Sequence, residues 1–321
     1  MEKYSLVPIF VPHLGCPNDC VFCNQRAISG ETRQMTAEDA LEILQEVDGK
    51  IKEVAFYGGS FTAICESLQN ELLDVALKFT DNIRISTRPD AINQQILDRL
   101  KLKKVKTIEL GAQSMCDEVL FASKRGHISE DIVNASELIR QNGFVLGLQM
   151  MVGLPNDTYE TLIQTTRKIC ELKPDIVRIY PVVVIEQTEL YDMYKNGQYK
   201  PLTVERAVEL CVDVLEIFNE NSINVIRVGL NPTEDLSNSK AVAGAYHEAL
   251  GQMVSSAIYY KKMLELIGDA RDCEIIFGVH KSEISTAVGQ KRYNKLKLYN
   301  EYRIKAKFIE ADVEKGEIVL V

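Results

Sequence analysis

Cys16, Cys20 and Cys23 stand within eight residues of one another, spaced C-x3-C-x2-C. Thiolates so spaced can converge on one metal centre. They fit three corners of a cubane iron–sulfur cluster and leave its fourth iron open to a small molecule. A structural zinc site would take four ligands at finger or ribbon spacings. The next cysteine is Cys65, and nothing in the spacing singles out His13 as a fourth ligand. Cys20 and Cys23 also have the C-x-x-C spacing of a thiol redox pair, but only the spacing. Cys65, Cys116, Cys170, Cys211 and Cys273 show no ligand spacing. They read as buried thiols, so no second cluster is expected.

Such a loop needs rigid elements around it. An apolar run, Leu6 to Val11, precedes it and reads as a buried first strand. Thr36 with Asp39 forms a capping-box start to a helix carrying Leu41, Ile43, Leu44 and Val47 on one face. Further strands are expected at Glu53–Tyr57, Ile83–Thr87, Thr107–Ala112, Val145–Val152, Asp175–Val184 and Asn224–Leu230. Helices are expected at Leu68–Phe79, Ile92–Leu102, Asp131–Gln141, Tyr159–Leu172 and Val204–Asn219. Near-continuous apolar strands alternating with helices predict an α/β fold with a parallel, helix-covered sheet. Six or seven such units are too few for a closed eight-unit barrel, so a curved, incomplete barrel is expected. Its chemistry belongs at the C-terminal strand ends. The cysteine loop, Gly58-Gly59 and Gln113 all follow strands there.

Residues 231–245 read as a loop and Glu248–Ile267 as a helix. The texture then changes: strand Glu274–Val279, short helix Ser282–Val288, turn Gly289-Gln290-Lys291-Arg292, helix Tyr293–Tyr302, and strands Ile304–Ile309 and Glu317–Val321. The chain is thus expected to divide into a partial barrel over 1–235, a helical connector over 236–270 and a small α+β domain over 271–321. Between Lys281 and Lys307 eight Lys or Arg face only Glu283 and Glu301, on a chain whose net charge is -9. That balance excludes a uniformly basic nucleic-acid binder and leaves room for a local basic patch. No apolar run reaches membrane-span length, and the N-terminus lacks the pattern of a signal peptide. Eight cysteines without a paired framework point to a reducing, cytoplasmic setting.

The cysteine motif after a first strand, with Tyr57-Gly58-Gly59-Ser60 after a second, resembles the radical S-adenosylmethionine (SAM) superfamily. The phrases VPHLGCPNDCVFCNQ, FYGGSFT, STRPD and MVGLP resemble its Elp3-like and HemN-like branch, over about residues 5–260. The resemblance implies a (β/α)6 barrel, a [4Fe-4S] cluster on Cys16, Cys20 and Cys23, SAM on the open iron, and Phe22 as a shield for the cluster. It also implies a low-potential electron donor of flavodoxin or ferredoxin type. Tyr57, Gly58, Gly59 and Ser60 would meet the methionine end of SAM, and Gln113 and Arg125 its ribose and carboxylate. Ser86 and Gln149 stand where the HemN-like pattern carries Glu and Asp, a departure from a porphyrinogen-type assignment. His127 and His247 are possible substrate-side groups.

The C-terminal piece is similar to a KH-like RNA-binding module, in which a G-x-x-G turn between helices grips the backbone. Here Gly289, Gln290, Lys291 and Arg292 form that turn, with Arg292 in place of the second glycine; the bland alternative is a cap closing the barrel. The favoured function is a radical SAM enzyme acting on RNA, tRNA first. Elp3 proteins carry an acetyltransferase domain for which too few residues follow the barrel here. The alternatives are a radical SAM enzyme acting on a small molecule and a non-catalytic metal- and RNA-binding protein.

Overall fold

The computed structural model describes residues 4–11, 16, 19–24, 35–230 and 241–321. Seven strands lie side by side: β1 (Tyr4–Val11), β2 (Lys50–Gly58), β3 (Ile83–Thr87), β4 (Val105–Gln113), β5 (Val145–Val152), β6 (Ile176–Pro181) and β8 (Asn224–Val228), the last following a short β7 (Val183–Ile185). Every neighbouring pair is parallel, and the order along the sheet follows the chain. The sheet is the half-barrel expected of a (β/α)6 unit.

Side chains alternate across a strand. Ile108, Leu110 and Ala112 of β4 enter the large core with Leu146, Leu148 and Met150 of β5 and Val177 and Ile179 of β6. The helices at 66–77, 94–102, 129–141, 159–172 and 204–220 add Leu72, Leu97, Ile139, Ile169 and Phe218 to it. The intervening strand residues, among them Glu109 and Gln113 of β4, Gln149 of β5 and Arg178 of β6, face the concave side. The helix Ala37–Gln45 begins in the expected capping box: Asp39 N donates to Thr36 Oγ1 at 3.2 Å and Thr36 N donates to Asp39 Oδ2 at 3.0 Å.

Four features differ from expectation. The strand read as Asp175–Val184 is broken at Pro181, which has no N–H to extend a ladder. Beyond it β7 leaves the large sheet and pairs antiparallel with β9 (Ala241–Gly244), part of the stretch read as loop; residues 231–240 lie outside the described residues. Helices at Asp117–Ala122 and Glu189–Lys195 were not anticipated, being too short to display a period. The stretch Ser282–Val288 is a 3-10 turn over 281–283 followed by a helix over 284–288.

The helix Leu250–Ile267 serves two cores. Leu250 and Val254 pack into the large one, while Tyr259, Tyr260, Met263 and Ile267 pack into a second. That second core lies under a sheet ordered β11-β10-β12, with β10 (Glu274–Val279) parallel to β11 (Lys305–Glu310) and antiparallel to β12 (Ile318–Leu320). No helix among the described residues is long and apolar enough to cross a membrane.

Candidate active site

A cavity opens at the C-terminal ends of the strands. Cys16, Cys23 and Phe22 line it from the cysteine loop, and Tyr57, Gly58 and Gly59 from the end of β2. Ser86, Gln113, Arg125 and Gln149 line it too. The structure therefore brings most of the sequence-derived candidates to one place. Ser60 stands behind the wall: fully buried, it shares a 2.8 Å hydrogen bond with Thr87 and accepts from Arg88 N at 3.2 Å.

Val21 anchors the cysteine loop. It is buried among Val119, Leu154, Val182, Val184 and Leu190. Its N–H donates to Ser123 O at 3.2 Å, and its carbonyl accepts from Leu190 N at 2.7 Å. The two short helices that sequence periodicity missed thus hold the loop in place. Cys20 is buried, and its sulfur accepts from Arg125 Nη1 at 3.1 Å, while Arg125 Nη2 donates to Gly111 O at 2.6 Å. Burial pushes the Cys16 thiol above its ordinary range, against the pull of Arg88 and Arg125. Among the described residues no three His, Cys, Asp or Glu side chains are grouped as a ready metal site. His13 lies outside those residues.

Gly58 shows why glycine ends β2. Its φ is +109°, and a Cβ there would sit 3.0 Å from the Val11 backbone. The neighbouring Gly59 N–H donates to Val11 O at 2.9 Å, tying the two strand ends that flank the site. Gln113 ends β4 in a left-handed conformation, φ 68°, where the register against β5 shifts. Backbone held in such a conformation without glycine is a frequent mark of a working position. The Gln113 Oε1 is buried with no hydrogen-bond partner among the described residues, and so is Nη1 of Arg88. An orphaned acceptor and an orphaned cationic donor thus belong to two side chains lining one cavity.

Arg88 is one of the residues that sequence reasoning passed over. It donates from Nε to Asp90 at 2.9 Å and from Nη2 to the Arg125 carbonyl at 2.5 Å. The phrase STRPD that contains it carries a family resemblance but no local signal of this role. A second omission is the charged floor of the cavity. Glu109, 1% exposed, accepts from Arg84 at 2.5 Å, Arg178 at 2.8 Å and Gln149 at 3.0 Å. Arg84 also pairs with Glu53 at 2.7 Å, and Arg178 donates to the Tyr57 hydroxyl at 2.7 Å. Burial and the Glu109 charge push the Tyr57 phenol far above its ordinary range, so it stays protonated. The signal was present: charged residues at alternate positions inside apolar strands must face something polar.

Several candidates lie elsewhere. His247 does not line the cavity; its Nδ1 accepts from Ala249 N at 3.0 Å at the start of helix Leu250–Ile267. His127 is buried behind Arg88, 3.5 Å from its Nη2, and burial with two arginines nearby pulls its pKa down to about 4. Of the five cysteines expected to be buried only Cys211 is; Cys116, Cys170 and Cys273 are half-buried, and Cys65 is exposed at the cap of helix Glu66–Leu77, off that helix's apolar face. Gly289 of the C-terminal turn would place a Cβ 3.0 Å from Ser256 Oγ, and Gln290 donates to Gln252 at 3.1 Å. That half of the turn is engaged with helix Leu250–Ile267, while Lys291 and Arg292 are exposed.

Comparison with known proteins agrees with this arrangement. Residues 10–169 match the family model of the radical SAM superfamily, and residues 174–260 that of the radical SAM C-terminal domain. The chain is 38% identical over 129 residues to a tRNA uridine(34) acetyltransferase of Methanocaldococcus jannaschii, covering 39% of this chain and 24% of that enzyme. It is 29% identical over 208 residues to elongator complex protein 3 of Schizosaccharomyces pombe, covering 56% of this chain and 38% of that protein. Most of each relative therefore lies outside the match. Among solved structures, Methanocaldococcus infernus Elp3 lacking its N-terminus superposes with a TM-score of 0.65 at 23% identity, over 82% of this chain and 64% of that one. Escherichia coli coproporphyrinogen III oxidase (HemN) superposes with a TM-score of 0.53 at 19% identity, over 68% of this chain and 53% of that one.

Proposed function

Since the chain belongs to the radical SAM superfamily, whose members use a [4Fe-4S] cluster and SAM, we propose that it cleaves SAM reductively in this cavity to act on tRNA. The donor chemistry suits the cluster, three thiols on one short loop, two of them lining the cavity and the third hydrogen-bonded to a guanidinium that also lines it, although among the described residues the three sulfurs are not gathered into a ready metal site. When bound, the cluster would supply the electron for reductive cleavage of a sulfur–carbon bond of SAM, chemistry that generates a hydrogen-abstracting species.

The chain's own residues bind, orient and shield. Gly58 and Gly59 present backbone to the methionine end, with Tyr57 beside them and Ser60 bracing the wall behind. Gln113 Oε1 accepts a ribose hydroxyl, with Ser86 and Gln149 on the same polar face. Arg125 holds the Cys20 sulfur and the Gly111 carbonyl, and Arg88 offers its unpaired Nη1 to the SAM carboxylate. Phe10, Phe22 and Met151, with Pro181, Val183 and Ile185, give the wall an apolar part that keeps water from a reactive intermediate. The reductant is a low-potential donor of flavodoxin or ferredoxin type. The carrying observation is the pair of orphaned buried atoms, Gln113 Oε1 and Arg88 Nη1, on side chains lining the cysteine-lined cavity.

The tRNA assignment draws on the likeness to the tRNA uridine(34) acetyltransferase, and we place the division of labour at a barrel over 1–235, a connector over 236–270 and an RNA-facing domain over 271–321. Anaerobic reconstitution of single Cys16→Ala, Cys20→Ala and Cys23→Ala variants tests the cluster. Each is expected to lose the thiolate–iron absorbance, and a full spectrum in any one of them removes that cysteine from the ligand set. Equilibrium SAM binding by Gln113→Ala and Arg88→Ala is expected to weaken with the cluster spectrum intact; wild-type affinity in both would overturn the pocket assignment.

A further inference from the structure

We propose that the groove between helix Tyr293–Tyr302 and strand β11 is a track for single-stranded RNA, with cations following the phosphates and Tyr299 stacking a base. The groove, about 370 Å³, is lined by Arg292, Lys295, Lys305 and Lys307, with Leu296 and Tyr299 between them. One carboxylate, Glu274, lines it, and it pairs with Lys307 at 2.7 Å. Among the described residues Arg292, Lys295 and Lys305 form no ion pair. Glu274, already paired with Lys307, is also the acidic neighbour of Lys305, so one carboxylate faces four cations in the groove, a local positive excess that complements an external anion.

The apolar residues in the groove select the kind of anion. Leu296 is 53% and Tyr299 42% exposed, on the outward side of a helix whose Asn294 and Leu298 are buried. The Arg303 guanidinium lies 5.5 Å from the Tyr299 ring centre. An aromatic face between cations suits a strand whose charges alternate with flat rings; an acidic peptide offers the charge without the planes. A duplex keeps its bases stacked and would leave Tyr299 unused. The inward engagement of Gly289 and Gln290 moves the expected contact surface from the turn onto this groove, with Arg292 at the junction. The inference rests on the tRNA reading for the identity of the RNA, and its test is independent of SAM cleavage.

Fluorescence anisotropy on the full chain, with a short labelled oligouridine and a labelled oligoglutamate of equal length, across a potassium chloride series, tests it. The wild type is expected to bind the RNA far more tightly than the peptide, with affinity falling as salt rises. Lys295→Ala with Lys305→Ala is expected to flatten the logarithmic salt slope by about 1.4, at roughly 0.7 per lost phosphate contact. Tyr299→Ala is expected to weaken binding by roughly five- to a hundred-fold at unchanged slope, and Tyr299→Phe to bind as the wild type does. Wild-type RNA affinity in the double variant and in Tyr299→Ala, or oligoglutamate bound as tightly as RNA, would overturn the proposal. SAM cleavage without RNA, measured on the same proteins, separates the two readings. RNA bound in the groove by a protein that cleaves no SAM sinks the enzymatic reading alone. SAM cleavage by a protein whose RNA affinity ignores the groove sinks this one alone.

Discussion

Glu109 receives two guanidinium groups and an amide while almost wholly removed from water. A carboxylate so placed is tolerable because every charge near it is answered, and removing it strands the others. Burial alone would lower the Arg178 pKa, yet Glu109 together with Tyr180 and Tyr57 more than offsets it, so the guanidinium stays charged. Glu109→Gln keeps the shape and removes the charge; the expected loss is about 3–5 kcal/mol, read from the urea midpoint. A midpoint unmoved by the substitution would show that the floor is not held by this charge. His127 gives a pH signature. Its folded pKa, about 4, lies below the unfolded value near 6.5. The unfolded chain therefore takes up a proton first as pH falls, so the stability His127 contributes is present above about pH 6.5 and is lost progressively down to about pH 4. His127→Gln is expected to flatten urea stability across that window; an identical acid profile in the variant would contradict the assignment.

At the scale of the element, the site depends on how strand ends are tied together. Gly58→Ala places a methyl against the Val11 backbone at a φ that alanine resists, beside the Gly59–Val11 hydrogen bond. Far-ultraviolet circular dichroism is expected to keep its helical shape while iron–sulfur loading falls several-fold. Normal loading would mean that the junction tolerates displacement. The parallel sheet was legible because its strands are long apolar runs between capped helices, and Thr36 with Asp39 marked one helix start correctly. The cysteine triad and the glycines were legible because their types and spacing serve few other purposes. What escaped had physical reasons. The polar inner positions of β3, β4 and β6 are single residues inside apolar runs, and nothing local shows that Arg84, Glu109 and Arg178 meet. Helices Asp117–Ala122 and Glu189–Lys195 owe their existence to packing around Val21, a contact distant in sequence. The break at Pro181 was readable from its missing N–H and was overlooked.

At the scale of the whole molecule, one helix, Leu250–Ile267, carries two cores and joins the half-barrel to the small three-stranded sheet. Asn294 fastens that junction: buried, it donates to Ser256 O at 2.8 Å and to Ala287 O at 2.9 Å, pinning helix Tyr293–Tyr302 to its neighbours. On the proposed reading, the RNA groove and the SAM cavity would share one scaffold. The measurement that tests this account most directly is 5'-deoxyadenosine formation by anaerobically reconstituted protein supplied with SAM and dithionite, with and without bulk tRNA. The account predicts product, formed faster when tRNA is present. Product indifferent to tRNA would turn the substrate assignment toward a small molecule. No product from protein carrying a full cluster would contradict the central claim that this cavity cleaves SAM.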